Sequence, residues 1–404
     1  MAALLLPAVD GGLYERALRP ATAWARPSTP LTSRHAYAAA HVIPSTTAEN
    51  TSGAPARLDW DATLAYRHEL WSYGLGVADA MDTAQRGMGL DWAATQELIR
   101  RSAQEAAAVV ASGQPALAGK TVRDLLACGA GTDQLDPADV PDGEAGLAVV
   151  LEAYREQLAV VSGSGAKVIL MASRALARVA RGPEDYLRVY STLLREATEP
   201  VILHWLGTMF DPALAGYWGA DDVAAATETF VGLIRSHPDA VDGVKVSLLD
   251  AAHEVALRAA LPDGVRLYTG DDFNYPELID GDGERHSDAL LGVFAAIYPA
   301  ASAALQAYDA GRPAEARGLL DSTRELGRQL FSAPTFYYKT GIAFLSWLNG
   351  SQPGFQMVGG LHSGRSVPHL VRTLELADEA GLLLDPELAA ARMTGFLSVN
   401  GVIL

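Results

Sequence analysis

Along this chain, short apolar runs alternate with longer stretches in which apolar residues recur every three to four positions. The first pattern marks buried strands and the second amphipathic helices. Strands are predicted at 36–43, 74–81, 122–128, 167–171, 200–205, 243–247 and 265–270, with a further apolar segment at 289–296. Helices are predicted between them at 60–73, 92–112, 144–161, 183–197, 220–236 and 251–261, the second opened by Asp91 as an N-terminal cap. Two short apolar runs flanking Val9-Asp10-Gly11-Gly12 predict a small hairpin, followed by a Pro/Thr/Ser-rich link over 19–32. Beyond Pro299 the pattern is helical only, broken near Gly311, Pro334, 350–354 and Gly364.

Seven or eight β–α units with short connections, and no glycine-rich dinucleotide fingerprint, predict an α/β fold. The expected architecture is a (β/α)8 TIM barrel with a small N-terminal hairpin and a C-terminal helical extension. The expected organisation is hairpin and linker over 1–31, barrel over 32–298 and extension over 299–404. Charge narrows the partners. With 31 basic against 48 acidic residues the net charge is −17, which repels nucleic-acid phosphates and anionic lipid. A small-molecule substrate is expected, with a homo-oligomer as the protein partner. Cys128 is the single cysteine and has no internal disulfide partner. The opening residues are too short and lack the basic start of a secretory signal, and no apolar run approaches the roughly 20 residues of a membrane helix. A cytoplasmic location is the expectation.

The basic residues carry a sharper signal. Four are lysines, Lys120, Lys167, Lys245 and Lys339, and Lys245 lies inside the apolar run Val241-Asp-Gly-Val-Lys-Val-Ser-Leu-Leu249. An ammonium within a buried strand is excluded, paired, or kept for chemistry that needs a neutral amine. In a barrel, chemistry gathers at the C-terminal strand ends. That rule makes neighbours of Thr83 and Arg86, Ser173 and Arg174, His204, Lys245 and Ser247, and Gly270, Asp271 and Asp272.

Gly243-Val-Lys-Val-Ser247, preceded by Pro200-Val-Ile-Leu-His204 and followed by Tyr268-Thr-Gly-Asp-Asp272, resembles the dihydrodipicolinate synthase and N-acetylneuraminate lyase superfamily. Leu90-Asp-Trp92, Cys128-Gly-Ala-Gly-Thr132 and the stretch from Ala333-Pro334 to Lys339 are weaker echoes, and the likeness spans roughly 32–350. It is closest to an uncharacterised divergent branch. The resemblance implies a class I aldolase in which Lys245 attacks the carbonyl of a 2-keto acid to form an imine, with no cofactor. The imine then serves as an electron sink for making or breaking a carbon–carbon bond.

Departures from the family are as informative. The loop that holds the keto acid's carboxylate in the family reads Asp82-Thr-Ala-Gln-Arg86 here, retaining Thr83 and offering Arg86 as a two-pronged donor. His204 stands where the family has its strand-five tyrosine, and imidazole suits proton transfer near neutrality. The strand-four tyrosine is replaced within Met171-Ala-Ser-Arg174, leaving Ser173 to hand on a proton and Arg174 to hold an anion. Tyr337 and Tyr338 are read as packing residues, and Gly359-Gly-Leu-His-Ser-Gly-Arg365 as a turn between helices.

Three functions are consistent with these residues. The first is a Schiff-base lyase, aldolase or dehydratase, on a 2-keto acid, sugar-derived acids included, with Lys245 as nucleophile and His204 as acid/base. Thr83, Arg86, Ser173, Arg174, Ser247, Gly270, Asp271 and Asp272 would bind the substrate, with an aldehyde as the second substrate of a condensation. The second is a metal-dependent isomerase or hydrolase, reading His204, Asp271, Asp272 and His286 as ligands gathered by one acidic barrel-top loop. The third is a barrel that binds a small molecule without turning it over.

Overall fold

The structure is a computed structural model that describes residues 2–8 and 11–402. Strands β1 (Ala3–Pro7) and β2 (Leu13–Ala17) pair antiparallel as the expected hairpin. The expected turn residues Val9 and Asp10 lie outside the described residues. Eight parallel strands then close into a barrel: β3 (Ala36–Ala39), β4 (Gly76–Asp79), β5 (Leu126–Ala130), β6 (Lys167–Leu170), β7 (Val201–Leu206), β8 (Val241–Ser247), β9 (Arg266–Thr269) and β10 (Asp288–Leu291). Their order around the barrel is sequential, with β10 closing on β3. The architecture is therefore a TIM barrel with an N-terminal hairpin and C-terminal helices.

Two expected elements are divided differently by the chain. The first half of the 122–128 run is a helical turn, Val122–Leu125, because Thr121 and Asp124 form a reciprocal capping box that starts a helix immediately before β5. The 289–296 run splits at Gly292 into β10 and a helix, Val293–Asp309, which packs against β3.

Alternation along each strand separates an outer face that meets the helices from an inner one that fills the barrel. On β8, Val244 and Val246 join the outer core, while Gly243, Lys245 and Ser247 occupy the alternate, inward positions. Gly243 has no room for a side chain, since a Cβ there would stand 2.7 Å from the Tyr268 ring.

The N-terminal end of the barrel is closed by charge. Asp242 accepts from Lys167 at 2.9 Å, Arg266 at 3.1 Å and the Tyr268 hydroxyl at 2.8 Å. Access to the interior is thus left to the opposite end, where the extension folds over the strand tips. Helices Arg324–Leu330 and Tyr338–Leu348 lie there, the second buried along nearly its whole length. The extension is tied to the hairpin: Arg16 pairs with Asp378 at 2.8 Å and Glu375 at 3.3 Å, and the Trp24 indole donates to the Gly381 carbonyl at 2.9 Å. Among the described residues no helix is long and apolar enough to cross a membrane.

Candidate active site

Parallel pairing sets the first contact of the site. His204 on β7 and Lys245 on β8 are register partners, so both side chains leave the sheet at one level on its inner face. Lys245 is 8% exposed and His204 1%. The Ser247 hydroxyl lies 3.4 Å from His204 Nε2, while His204 Nδ1 is buried without a hydrogen-bond partner. Gly270, at the end of β9, makes room for this group. A Cβ there would fall 2.2 Å from Ser247 Oγ and 3.1 Å from Lys245 Cε.

Burial sets the protonation of these groups. Desolvation lowers the Lys245 pKa, opposed by the negative charges of Asp82 and Asp272. His204 is pushed well below its ordinary value, first by burial and then by the Lys245 charge. Asp272 moves the other way: burial raises its carboxyl, against backbone donation from Gly292 and from Val293 at 2.7 Å. An amine and an acid that burial drives toward their neutral forms thus lie within electrostatic reach of each other.

The retained Thr83 donates to, or accepts from, the Tyr338 hydroxyl at 2.7 Å. Tyr338 comes from the C-terminal extension, stacks on Phe331 at a centroid distance of 4.3 Å, and has its pKa raised well above 10 by burial and then by the Asp82 charge. Its hydroxyl is therefore a proton-bearing group at the barrel mouth. The next residue, Lys339, is 2% exposed, with its pKa lowered to about 8 by burial. The sequence reading took Tyr338 for a packing residue and gave Lys339 no part in the site. The available signal was the one that singled out Lys245: a lysine within an apolar stretch, here Tyr337-Tyr-Lys-Thr-Gly-Ile-Ala-Phe344.

The other predicted residues divide. Ser173 caps helix Arg174–Val179 through Leu176 N at 2.9 Å and meets Thr132 Oγ1 at 2.6 Å, and its own N–H donates to the Tyr217 hydroxyl at 3.0 Å. It borders a cleft of about 90 Å³ lined by Asp82, Gly87, Thr132, Arg174 and Asp211. Arg174 reaches Asp211 through Nε. Arg86 does not face substrate with a free fork. Its donors go to both oxygens of Asp133, to the Ala80 carbonyl at 3.2 Å and the Gly129 carbonyl at 2.7 Å, and to Gln157 at 2.5 Å. A guanidinium has five N–H groups, and all are spent on the barrel wall. Asp271 is likewise engaged in its own loop, accepting from Phe273 N, Asn274 N and Asn274 Nδ2 at 2.8–2.9 Å.

His286 belongs to the other end of the barrel. Helix Tyr275–Asp280 carries the chain away from the mouth, so the acidic stretch around 280–286 precedes β10 instead of following β9. His286 borders a groove with His35, Arg266 and Asp288 at the N-terminal strand ends. The ligand set of the metal reading therefore does not converge, and among the described residues no group of three or more His, Cys, Asp or Glu side chains is placed to hold a metal. The segment read as a turn is a short 3-10 stretch, Val358–Gly364, kinked at Gly359 and Gly360, and Arg365 after it donates to the carbonyls of Leu330, Ser332 and Ala333.

Fold and site together define a (β/α)8 barrel with a buried lysine on its sixth strand. A family model described as "Protein of unknown function (DUF993)" matches residues 4–402, and the chain belongs to that family. No curated protein matches it. Solved structures with the same fold include dihydrodipicolinate synthase from Bacteroides thetaiotaomicron, at TM-score 0.61 and 13% identity, over 86% of this chain and 99% of that one. The enzyme from Thermotoga maritima aligns at TM-score 0.59 and 15% identity, over 87% and 100%. A prophage protein of the dihydrodipicolinic acid synthase family from E. coli K12, solved in complex with pyruvate, aligns at TM-score 0.58 and 14% identity, over 92% and 99%.

Proposed function

We propose that this protein is a class I aldolase-like lyase whose Lys245 forms an imine with a 2-keto acid. The observation that carries this reading is the burial of the Lys245 amine on the inner face of the sixth strand, beside His204 and under a mouth closed by Tyr338. Burial lowers the pKa of that amine and so favours the neutral form that attack requires. Attack on the ketone carbon gives a carbinolamine, with the amine proton passing to the former carbonyl oxygen. Loss of that oxygen as water needs an acid nearby. The Tyr338–Thr83 hydroxyl pair at the mouth and the His204–Ser247 pair beside the lysine are the groups at hand. The protonated imine then draws the electron pair of a bond on the neighbouring carbon: if its bond to a hydroxyl-bearing carbon breaks, an aldehyde leaves as the hydroxyl gives up its proton, and if a C–H proton is removed instead, the enamine so formed adds to an aldehyde.

The bound pyruvate of the E. coli structure supports this class of ligand. With Arg86 spent on the wall, Thr83 is the candidate to receive the carboxylate beside the imine, and residues 331–339 supply the cover from within the same chain. The test is reduction with borohydride in the presence of pyruvate and a panel of longer 2-keto acids, followed by peptide mass mapping. An adduct on Lys245 that vanishes in Lys245→Ala is expected. Absence of any adduct, with the variant chain equally folded, would sink the imine reading.

A further inference from the structure

The four lysines fall into two pairs. Lys120 donates to the Leu31 carbonyl at 3.2 Å and Lys167 pairs with Asp242, both toward the closed end of the barrel. Lys245 and Lys339 are both buried at the open end. The imine reading uses one of them and leaves the other without a task.

Lys339 has an unusual setting for a buried cation. Its Nζ lies 3.1 Å from the Met88 sulfur, a weak acceptor that cannot neutralise an ammonium, and 5.1 Å from the centre of the Tyr338 ring. Met88 belongs to the loop after β4, and its neighbour Gly87 touches a second cation. A Cβ on Gly87 would stand 2.9 Å from Arg174 Nη1, and Gly87 has φ +69, a conformation that suits glycine. Two cationic heads therefore flank one two-residue segment, Lys339 against Met88 and Arg174 against Gly87. Arg174 is tied to Asp211 through Nε, and neither Nη group has an acceptor among the described residues. Gly87 is exposed and borders the cleft that also holds Asp82. The thioether over Lys339 is unbranched and flexible, so it can swing aside as a ligand enters.

We propose that Lys339 and Arg174 form a subsite for a second anionic group, carboxylate or phosphate, at the end of the substrate remote from the imine. The inference rests on the Lys245 reading for the identity of the near end, and it makes the substrate class a 2-keto acid with a distal acid group. A carboxylate or phosphate oxygen would give Lys339 the charged acceptor it lacks and span to the Arg174 fork.

The experiment compares borohydride trapping on Lys245 with pyruvate, with 2-oxoglutarate and with a phosphorylated 2-keto acid, each over a concentration series. In the wild-type chain, at least one dianionic acid is expected to half-saturate trapping about tenfold or more below pyruvate. Whichever acid shows the preference identifies the distal group. Lys339→Met is expected to bring that ratio to about one, and Arg174→Gln, a change at a half-exposed side chain that keeps the fold, to reduce it severalfold. Equal half-saturation by pyruvate and both dianions, or a preference that survives both substitutions, would overturn the subsite. Failure of the imine reading is distinguished by glutarate and inorganic phosphate, which have no ketone. If no keto acid traps, a rise in Tm with either ion in the wild type but not in Lys339→Met upholds the subsite. No rise with either ion overturns it.

Discussion

Replacing Glu254 by glutamine should change how stability depends on pH. Glu254 lies on the helix between β8 and β9, 1% exposed; its two oxygens meet Thr269 Oγ1 at 3.0 Å and Ser287 Oγ at 2.7 Å. Burial is the main reason its pKa rises from 4.5 to about 8, the two hydroxyls pulling the other way. The folded chain thus keeps a proton that the unfolded chain has released throughout the interval between those values. A raised acid contributes its full stability below the unfolded value, and that contribution is lost as pH rises through the folded one. Each pH unit in the interval is worth about 1.4 kcal/mol. Between pH 5 and pH 8.5 the wild-type chain should lose about 3–5 kcal/mol that Glu254→Gln, which keeps a neutral amide in the same place, does not. Urea unfolding of both proteins at pH 5, 7 and 8.5 measures the difference and cancels every other titrating group. A gap between the two that stays flat with pH would refute the assignment of a protonated Glu254 and the burial argument behind it.

Two further outcomes follow from the packing. Gly270→Ala places a methyl within 2.2 Å of Ser247 Oγ, so it should cost about 1–3 kcal/mol by overpacking and reduce the rate of Lys245 trapping; wild-type trapping by this variant would show that the strand end has slack. Asp79→Asn leaves Arg67 charged and unpaired where both side chains are fully buried at 2.8 Å, and should lower unfolding free energy by about 3–5 kcal/mol, read from urea midpoints. A loss under about 1 kcal/mol would mean that the carbonyls of His41 and Thr63 satisfy the guanidinium without the acid.

The barrel was legible because burial on both faces of a parallel strand writes a continuous apolar run, and helices between such runs write a different period. Lys245 stood out against that background for the same reason. The elements that were misread are those where a local signal competes with hydrophobicity. Thr121 and Asp124 start a helix inside an apolar run, and Gly292 divides strand from helix with no change of polarity. His286 was assigned to the wrong end of the barrel because six helical residues, Tyr275–Asp280, were read as part of a loop, and one helix reverses which end the next residues occupy. Arg86 illustrates a different limit. A sequence shows that a guanidinium is available, but only the positions of Asp133, Gln157 and two carbonyls show that it is already bound. Tyr338 lies 255 residues from the hydroxyl it meets, and no spacing rule connects positions so far apart.

The dependence of the mouth on Tyr338 gives the order of synthesis a chemical meaning. A ribosome extends the chain from its N-terminus, and domains begin to fold as they emerge. All eight strands, with Lys245 and His204 among them, are made before the segment that carries Phe331, Tyr338 and Lys339. If Lys245 forms the imine proposed above, a barrel that folds before the extension is made would hold that amine uncovered, open to any aldehyde or keto acid in the surroundings. Only when the later helices dock, held by the hairpin made first, is the mouth above Lys245 covered.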